Sequence, residues 1–372
     1  MQAIGVMGGM FDPIHWGHIR AALSALHAGL DRVLLAPCQT PAHRPAAAVS
    51  AQQRLDMCRL AALAFPGLEA SDIELREGPC YAVDTVQMLM QQYPGARICW
   101  IMGADKLPTL HKWFNADKLF SLCEFWVCPR PGDDAHYHVP GAAIRVLEHT
   151  AMEASSGMVI ARLHAYDDAE ELLPRSIARY IAESSLYQID FSQQLIARGM
   201  KDHRLSHTLG VRKTAVALAD IHGACMQRAS VAAMLHDIAK PLSLADMQSL
   251  ARKYALELPC DVLNDGNLLH GPVGAAIAQH ELGIADHEIL SAIACHTTGK
   301  VGMTTLDKVV FLSDAIEPTR REYPGLADMR ALSTHDLNGA VLLSMQRTRE
   351  YVLSQGHHFC TQTEQAMLDL AK

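Results

Sequence analysis

The sequence predicts two folds in succession: an open, mainly parallel α/β sheet over residues 1–188 and an all-helical domain over residues 189–372. Three observations predict this. Short apolar runs alternate with helical patterns through the first half. Beyond about Phe191 the apolar residues recur at three- and four-residue intervals with no strand between them. The chain's 372 residues also exceed the usual single domain of roughly 100 to 200 residues.

In order, AIGVMG (3–8) reads as a buried strand, HIRAALSALHAG (18–29) as a helix stopped by Gly29, and RVLLAP (32–37) as the next strand. AQQRLDMCRLAALAF (51–65) is helical, LEASDIEL (68–75) extended, VDTVQMLMQQY (83–93) helical and ARICWIMG (96–103) a strand. CEFWVCPR (123–130) is the last clear strand, and PRSIARYIAESSLY (174–187) is a helix with Pro174 near its start. In the second half TLGVRKTAVALADIHG (208–223), RASVAAMLHDIAK (228–240) and TTLDKVVFLSDAIE (304–317) are helices. No Gly/Ser- or Pro-rich linker separates the halves, so closely joined domains are expected.

Composition narrows the function. With 49% hydrophobic and 19% charged residues the chain is an ordinary globular sequence. The net charge of −8 divides into 15 basic against 20 acidic residues up to 188, and 17 against 20 after it. Neither half has the charge of a nucleic-acid polymer binder, whereas small anionic ligands fit local pockets. MQAIGVMGGM lacks a basic leader region, and no stretch approaches about 20 uninterrupted apolar residues, so a cytoplasmic protein without a membrane segment is expected. The ten cysteines form no C-x-x-C pair and read as reduced packing residues.

The stretch GGMFDPIHWGHIRAA (8–22) carries the first candidate chemistry. Gly8 and Gly9 close a strand and let backbone amides approach a ligand, and the following helix start offers unpaired N–H groups to negative charge. His15 and His18 stand one turn apart there, where donors could stabilise charge developing on a phosphate. Two such histidines alone would equally fit a surface turn. In full context, GGMFDPIHWGH resembles the signature of the nucleotidyltransferase superfamily, with His15-Trp16-Gly17-His18 as its H-x-G-H element after Phe11-Asp12-Pro13.

The resemblance is to the nicotinate-nucleotide adenylyltransferases and runs through TPAHRP (40–45), RLDMCRLA (54–61), IELREGPCYAVDTVQML (73–89), WIMGADKL (100–107), WFNADKL (113–119), VCPRPG (127–132) and LLPRSIARYIAESSLY (172–187). It implies a Rossmann-like sheet of nucleotidyltransferase type and a magnesium-dependent reaction of ATP with nicotinate mononucleotide, giving nicotinate adenine dinucleotide and pyrophosphate. By the same resemblance His15 and His18 are catalytic and serve the phosphates, with Gly8, Gly9, Phe11 and Asp12 in the binding loop. His43 and Arg44 bear on the mononucleotide, Tyr81, Thr85 and Trp113 border the nicotinate pocket, and Gly103 and Asp105 contact the adenylate. Arg130 lies near the mononucleotide or phosphates, and Ser155 and Ser156 near the triphosphate. Two departures stand out. Met10 replaces a serine or threonine of the family pattern, and ASSGMVI (154–160) has Gly157 and Ile160 where the pattern has threonine and arginine, leaving Arg162 as a substitute at a different angle.

The second constellation is spread over RLSHTLGV (204–211), MLHDIAK (234–240), LLHGPVG (268–274), ACHTTGK (294–300) and FLSDAIEP (311–318). His207, His236, Asp237, His270, His296 and Asp314 are imidazole and carboxylate groups embedded in helical segments. Their mixed nitrogen and oxygen donors suit iron, manganese or another divalent metal better than a thiolate zinc site. The pattern resembles the HD superfamily of metal-dependent phosphohydrolases, in the branch of bacterial symmetric bis(5′-nucleosyl)-tetraphosphatases, over roughly residues 195–356. That resemblance implies a di-iron centre that splits diadenosine tetraphosphate into two ADP. Two cations would activate water and neutralise phosphate oxygens, with Asp237 and Lys240 in catalytic positions and Arg204 and Arg320 as weaker phosphate candidates. His203, His222, His280, His287, His335, His357 and His358 fit no motif position.

Together the halves imply a bifunctional enzyme acting on ATP, nicotinate mononucleotide and diadenosine tetraphosphate, with homo-oligomerisation open. Two alternatives stand beside it: nicotinamide mononucleotide as acceptor, and a first domain that senses nucleotide while the second hydrolyses.

Overall fold

A computed structural model of the chain describes residues 2–40, 46–130, 132–135, 137–167 and 169–372. The chain divides into two compact units, Met1–His164 with Ala169–Tyr180 and Ala165–Asp168 with Ile181–Lys372.

The first unit is built on one sheet of strands β1 (Ala3–Gly9), β2 (Arg32–Pro37), β3 (Leu68–Ala70), β4 (Arg97–Gly103), β5 (Glu124–Cys128) and β6 (Ile144–Val146), in the order β3-β2-β1-β4-β5-β6. Every neighbouring pair is parallel. Helices α1 (Trp16–His27), α2 (Ala51–Ala64), α3 (Ala82–Gln92) and α4 (Ala116–Leu122) alternate with β1 to β5, α5 (Ser156–His164) follows β6, and α6 (Arg175–Glu183) comes last before the second unit in sequence. Ala3–Met7 is buried without interruption, as expected of a central strand covered on both faces. The strand order reverses direction between β1 and β4, so the crevice for a ligand opens at the ends of those strands, Gly8-Gly9 and Gly103.

Three local readings change. The extended run 68–75 gives the sheet only Leu68–Ala70, because Leu75 N–H turns back to the Asp72 carbonyl at 2.8 Å. The helix read to residue 187 ends at Glu183, and Ser185 and Tyr187 beyond it have positive φ. The sheet also has a sixth strand, β6, whose three edge residues are too few to show a period.

The second unit is helical among its described residues: α7 (Ser192–Ala197), α8 (Asp202–His222), α9 (Met226–Leu235), α10 (Leu244–Lys253), α11 (Cys260–Leu263), α12 (Gly266–Leu282), α13 (His287–Cys295), α14 (Thr305–Ile316), α15 (Leu326–Leu332), α16 (Leu337–Ser354) and α17 (Thr361–Leu370). All of α9 except Arg228 is buried, which makes it the central helix, with α8, α12, α13 and α14 packed on it. Side-chain caps from Ser243, Asp265, Asp286, Thr304 and Asp336 start the helices that follow them, and left-handed Gly223 and Gly283 end α8 and α12. One expectation is corrected here. α9 stops at Leu235, so His236, Asp237 and Lys240 lie in successive turns after it, closed by Ile238 N–H to Leu235 O (3.1 Å) and Lys240 N–H to Asp237 O (3.0 Å). No helix among the described residues is long and apolar enough to cross a membrane.

Candidate active sites

In the first unit β1 delivers Gly8 and Gly9 to the crevice. A Cβ on Gly8 would stand 2.9 Å from the Trp100 ring, so the backbone lies directly on that indole. Met10 follows, its thioether against the Cys38 thiol at 3.7 Å, then buried Phe11 at a φ of 49° and Asp12, which accepts from Ala48 N–H at 2.6 Å. The Met10 side chain thus turns toward the end of β2.

His15 caps α1. Its Nδ1 accepts from Gly17 N–H at 3.1 Å, while the backbone N–H of His15 donates to His18 Nδ1 at 3.4 Å. The two rings lie 3.9 Å apart at 33°. With both Nδ1 atoms accepting, each neutral ring carries its proton on Nε2, a tautomer assigned from the bonding pattern. Gly17 is required sterically: a Cβ there would come within 2.9 Å of the His15 ring. Burial, then the positive charge of Arg130, pushes His15 down to about 4. It is therefore neutral near pH 7 and can both cap the helix and donate.

Ser155 caps α5 by accepting from Met158 N–H at 3.2 Å, and Ser156 Oγ donates to the Pro13 carbonyl at 2.9 Å, tying the start of α5 to the loop before His15. Arg162 pairs with Glu171 at 3.7 Å, and Ile160 is half-buried. Tyr81 precedes α3 and stacks on Phe114 at 4.4 Å, and Trp113 meets Trp100 edge-on at 6.1 Å. Thr85 is fully buried, its hydroxyl donating to Glu74 Oε1 at 2.8 Å, so it faces the protein interior. Gly103 ends β4, and Asp105 beyond it is exposed and ion-paired with Lys106. Arg130 is exposed beyond β5. His43 and Arg44 lie outside the described residues. The fold therefore gathers Gly8, Gly9, His15, His18 and Gly103 at the crevice, with the charge of Arg130 reaching His15.

Sequence reasoning passed over Phe114 and Glu74. Phe114 is half-exposed beside Trp113, and its adjacency in WFNADKL was the available signal. Glu74 is buried, and that burial pushes its carboxyl up against the opposing influence of Thr85 and Arg76.

In the second unit six side chains converge. His207 comes from α8, His236 and Asp237 from the turn after α9, His270 from α12, His296 from the end of α13 and Asp314 from α14. Three rings set Nδ1 against a backbone carbonyl: His236 on Ala233 (2.6 Å), His270 on Gly266 (3.2 Å) and His296 on Ile293 (2.8 Å). His207 instead sets Nδ1 on Glu317 Oε1 at 3.0 Å and Nε2 on Asp314 Oδ1 at 2.9 Å. A proton on Nδ1, a tautomer assigned from these bonds, satisfies the three carbonyls and Glu317 and leaves Nε2 of His236, His270 and His296 as lone pairs turned into the cluster, with Lys240 Nζ a further neighbour of His270 Nδ1 at 3.4 Å.

These lone pairs test whether the site fits a metal. His236 Nε2 is buried with no hydrogen-bond partner among the described residues, 3.8 Å from Asp237 Oδ2 and 3.9 Å from Asp314 Oδ1. His270 Nε2 and His296 Nε2 stand 3.1 Å apart, with Asp237 Oδ1 3.1 Å from the first. Acceptors facing acceptors in a buried space repel unless a cation lies among them. Two sets, His207–His236–Asp314 and His236–Asp237–His296, each bring their ligand atoms within 4.8 Å of one another. The donors fit a divalent metal.

The same crowding moves the titrations. Burial opposes the charged form of Asp237, but neighbouring His236, His270 and His296 outweigh it and hold the carboxyl well below the usual range. Asp314 is likewise held down against burial, by His207 and then His236 and Arg320. His296 is pushed down to about 3 by burial and then by the adjacent histidines. Burial works against a charged His207, but Asp314 and Glu317 prevail and raise it. Arg204 donates to Asp237 Oδ2 at 2.6 Å, Arg320 pairs with Asp314, and Lys240 Nζ reaches Asn267 Oδ1 at 3.4 Å.

Glu317 was not singled out in the sequence, although it lies three residues after Asp314. Its buried carboxylate accepts from Thr319 N–H at 2.7 Å and holds His207 in orientation. Gly210 makes room for it, since a Cβ there would approach Glu317 Oε2 to 2.6 Å.

Residues 6–162 match the Cytidylyltransferase-like family model, and residues 204–319 match that of the HD domain. The chain is 35% identical over 191 residues to the nicotinate-nucleotide adenylyltransferase of Bacillus subtilis, covering 50% of this chain and 100% of that protein. It is 40% identical over 163 residues to the symmetrical bis(5′-nucleosyl)-tetraphosphatase of Halalkalibacterium halodurans, covering 44% of this chain and 86% of the relative. A Mycoplasma pneumoniae protein described as a probable nicotinate-nucleotide adenylyltransferase/Ap4A hydrolase aligns at 29% identity over 359 residues, 94% of this chain and 98% of its own length. By sequence and fold the chain belongs to the nicotinate-nucleotide adenylyltransferase family over its first half and to the HD-type symmetrical bis(5′-nucleosyl)-tetraphosphatase family over its second.

Proposed function

We propose that this chain is a bifunctional enzyme of nucleotide metabolism. Its first unit transfers AMP from ATP to nicotinate mononucleotide, and its second splits diadenosine tetraphosphate into two ADP. The near full-length correspondence with the Mycoplasma protein carries this reading, because the two activities in that protein's name fall in turn on the two sites described above.

In the first unit His15 and His18 would donate through Nε2–H to the α-phosphate. The glycine strand end and the N-terminus of α1 would supply amides to the negative charge that grows in the transition state. Magnesium brought in with ATP would shield the remaining phosphates. Tyr81, Phe114 and Trp113 offer aromatic faces for the nicotinate ring. His43 and Arg44 complete the proposed mononucleotide contacts, Asp105, Ser155 and Ser156 those to ATP, and Arg130 serves the mononucleotide or the phosphates.

In the second unit the proposed ligands are His207, His236, Asp237, His296 and Asp314, which form the two compact sets, together with His270, whose Nε2 lies 3.1 Å from that of His296, and a pair of iron ions is the proposed occupant. Such a pair, when bound, activates water and neutralises phosphate oxygens. The chain's own part is to fix the imidazoles through Glu317 and three carbonyls and to place Lys240, Arg204 and Arg320 for the polyphosphate. Small nucleotides, with no nucleic-acid polymer, are the proposed ligands. Ten free cysteines suit a reducing cytoplasm.

The test is pyrophosphate release from ATP, magnesium and nicotinate mononucleotide, with nicotinamide mononucleotide as competitor, beside ADP release from diadenosine tetraphosphate. Both activities are expected in one preparation. Tight mononucleotide binding without pyrophosphate release would make the first unit a nucleotide sensor, the role that Ile160 and the pairing of Arg162 with Glu171 favour. Preference for nicotinamide mononucleotide would reassign the acceptor.

A further inference from the structure

Arg54, on α2, is a cationic side chain sealed inside the first unit, only 1% exposed. A buried guanidinium ordinarily meets a carboxylate, because an unpaired buried charge is costly. Here, among the described residues, only backbone carbonyls receive it. One terminal nitrogen donates to Met10 O at 2.7 Å, the other to Cys38 O at 2.7 Å and more weakly to Gln39 O at 3.5 Å, while Nε finds no acceptor.

The placement of those carbonyls is the informative point. Met10 is the first residue beyond β1, and Cys38 and Gln39 are the first beyond β2. The β1–β2 ladder runs on to Cys38 N–H on Gly9 O at 2.9 Å, and the fork of Arg54 closes it one step further on. A lysine has one ammonium head and cannot bridge two carbonyls in this fixed plane.

A trans peptide plane holds its C=O and the next N–H in opposite directions. With the Met10 carbonyl turned toward Arg54, the N–H of Phe11 is aimed away from α2, and it makes no hydrogen bond among the described residues. Phe11 itself has a φ of 49°, a conformation that non-glycine residues adopt only when the surroundings hold them there. The loop it begins leads within four residues to His15, the cap of α1.

We infer that Arg54 is a positioning residue for adenylyl transfer: by bridging the Met10 and Cys38 carbonyls it aims the Phe11 amide at the phosphate of the bound nucleotide and holds the loop that presents His15. The inference rests on the proposed transferase reading of the first unit. Two contributions separate. The charge behind the loop attracts ATP in the ground and transition states alike and belongs to KM. The fixed loop geometry is used in the transition state and belongs to kcat.

The experiment uses the full-length chain with Arg54→Lys and Arg54→Met. Fully folded first unit is followed by tryptophan fluorescence, since Trp16, Trp100, Trp113 and Trp126 all lie there, and active sites are counted by nicotinate mononucleotide binding stoichiometry. Arg54→Met is expected to lose about 100-fold in kcat per competent site, the scale of a small misplacement at a reacting centre, and to raise KM for ATP. Arg54→Lys keeps the charge and is expected to hold KM for ATP near the wild-type value while kcat falls about tenfold or more. Diadenosine tetraphosphate hydrolysis is expected to stay unchanged in both. A per-site kcat within threefold of wild type in Arg54→Lys would overturn the inference. So would an Arg54→Met protein that merely has fewer competent sites, each of normal kcat. A wild-type chain that releases no pyrophosphate would instead sink the transferase reading.

Discussion

The two proposed phosphate sites are built from different materials. In the first unit the groups are mostly backbone: a glycine strand end, the N-terminus of α1 and two imidazoles whose Nδ1 atoms are spent capping it, all within residues 8–18. In the second they are side chains gathered from four helices and the turn after α9, spaced from His207 to Asp314. The first is preorganised by hydrogen bonds internal to the loop. The second leaves buried acceptors opposed to one another, as with His270 Nε2 and His296 Nε2, and is completed by a cation. A change in the first site should therefore alter the rate of a folded enzyme, whereas a change in the second should alter metal affinity as well.

The largest effect is expected at Asp237, which touches Arg204 and His270 and stands close to His236 and His296. Asp237→Asn should lower hydrolysis of diadenosine tetraphosphate about a thousandfold, since removing one partner of a buried charged set costs about 3–5 kcal/mol. Adenylyl transfer in the same protein should stay within twofold. Chelation of the wild-type chain followed by magnesium alone should reproduce that pattern. Loss of both activities together would erase the independence of the two sites. At the first site His18→Ala should lower pyrophosphate release about 10²–10³-fold, the cost of one preorganised donor, with hydrolysis unchanged and metal content equal to wild type. A metal-content change in that variant would break the distinction.

That contrast also explains what could be read in advance. β1, β2, β4 and β5 are continuous apolar runs that the fold buries, so their sequence states their environment. β6, with three partly exposed residues, and α5, which starts in a serine-glycine stretch, have no comparable pattern. The 8–18 motif is readable because neighbours in sequence are neighbours in space. The six proposed ligands of the second unit were readable only as a set, each histidine alone being compatible with a core position. What escaped was the layer behind both sites: Arg54 behind the Met10 loop, Glu74 beneath Gly8 and Thr85, and Glu317 behind His207. Their roles depend on a carbonyl, a backbone approach and a ring nitrogen brought from distant segments, none of which has a local spacing.

Glu317 gives a sharper test of that second layer. Glu317→Gln keeps the shape and removes the charge that holds His207, so metal affinity should fall about 10–100-fold. Hydrolysis should recover when metal is added in excess, which separates an orienting carboxylate from a ligand. Failure to recover at saturating metal would place Glu317 among the groups that act on substrate.

The smallest expected effect concerns proton binding at the first site. The folded-state value of about 4 for His15 lies below its ordinary 6.5, so between these values the unfolded chain binds more protons than the folded one. Stability of the first unit should then be highest above about pH 6.5, fall as pH drops toward 4 and level off below. At pH 5.5 the His15 contribution to this fall is on the order of 1 kcal/mol. His15→Asn keeps an acceptor for the Gly17 N–H and removes the titration. Urea unfolding followed by tryptophan fluorescence should show that this variant loses less stability than wild type between pH 7 and 5.5. An equal loss would mean that His15 takes up a proton in the folded state, and the neutral, Nε2-donating imidazole assigned to the first site would have to be abandoned.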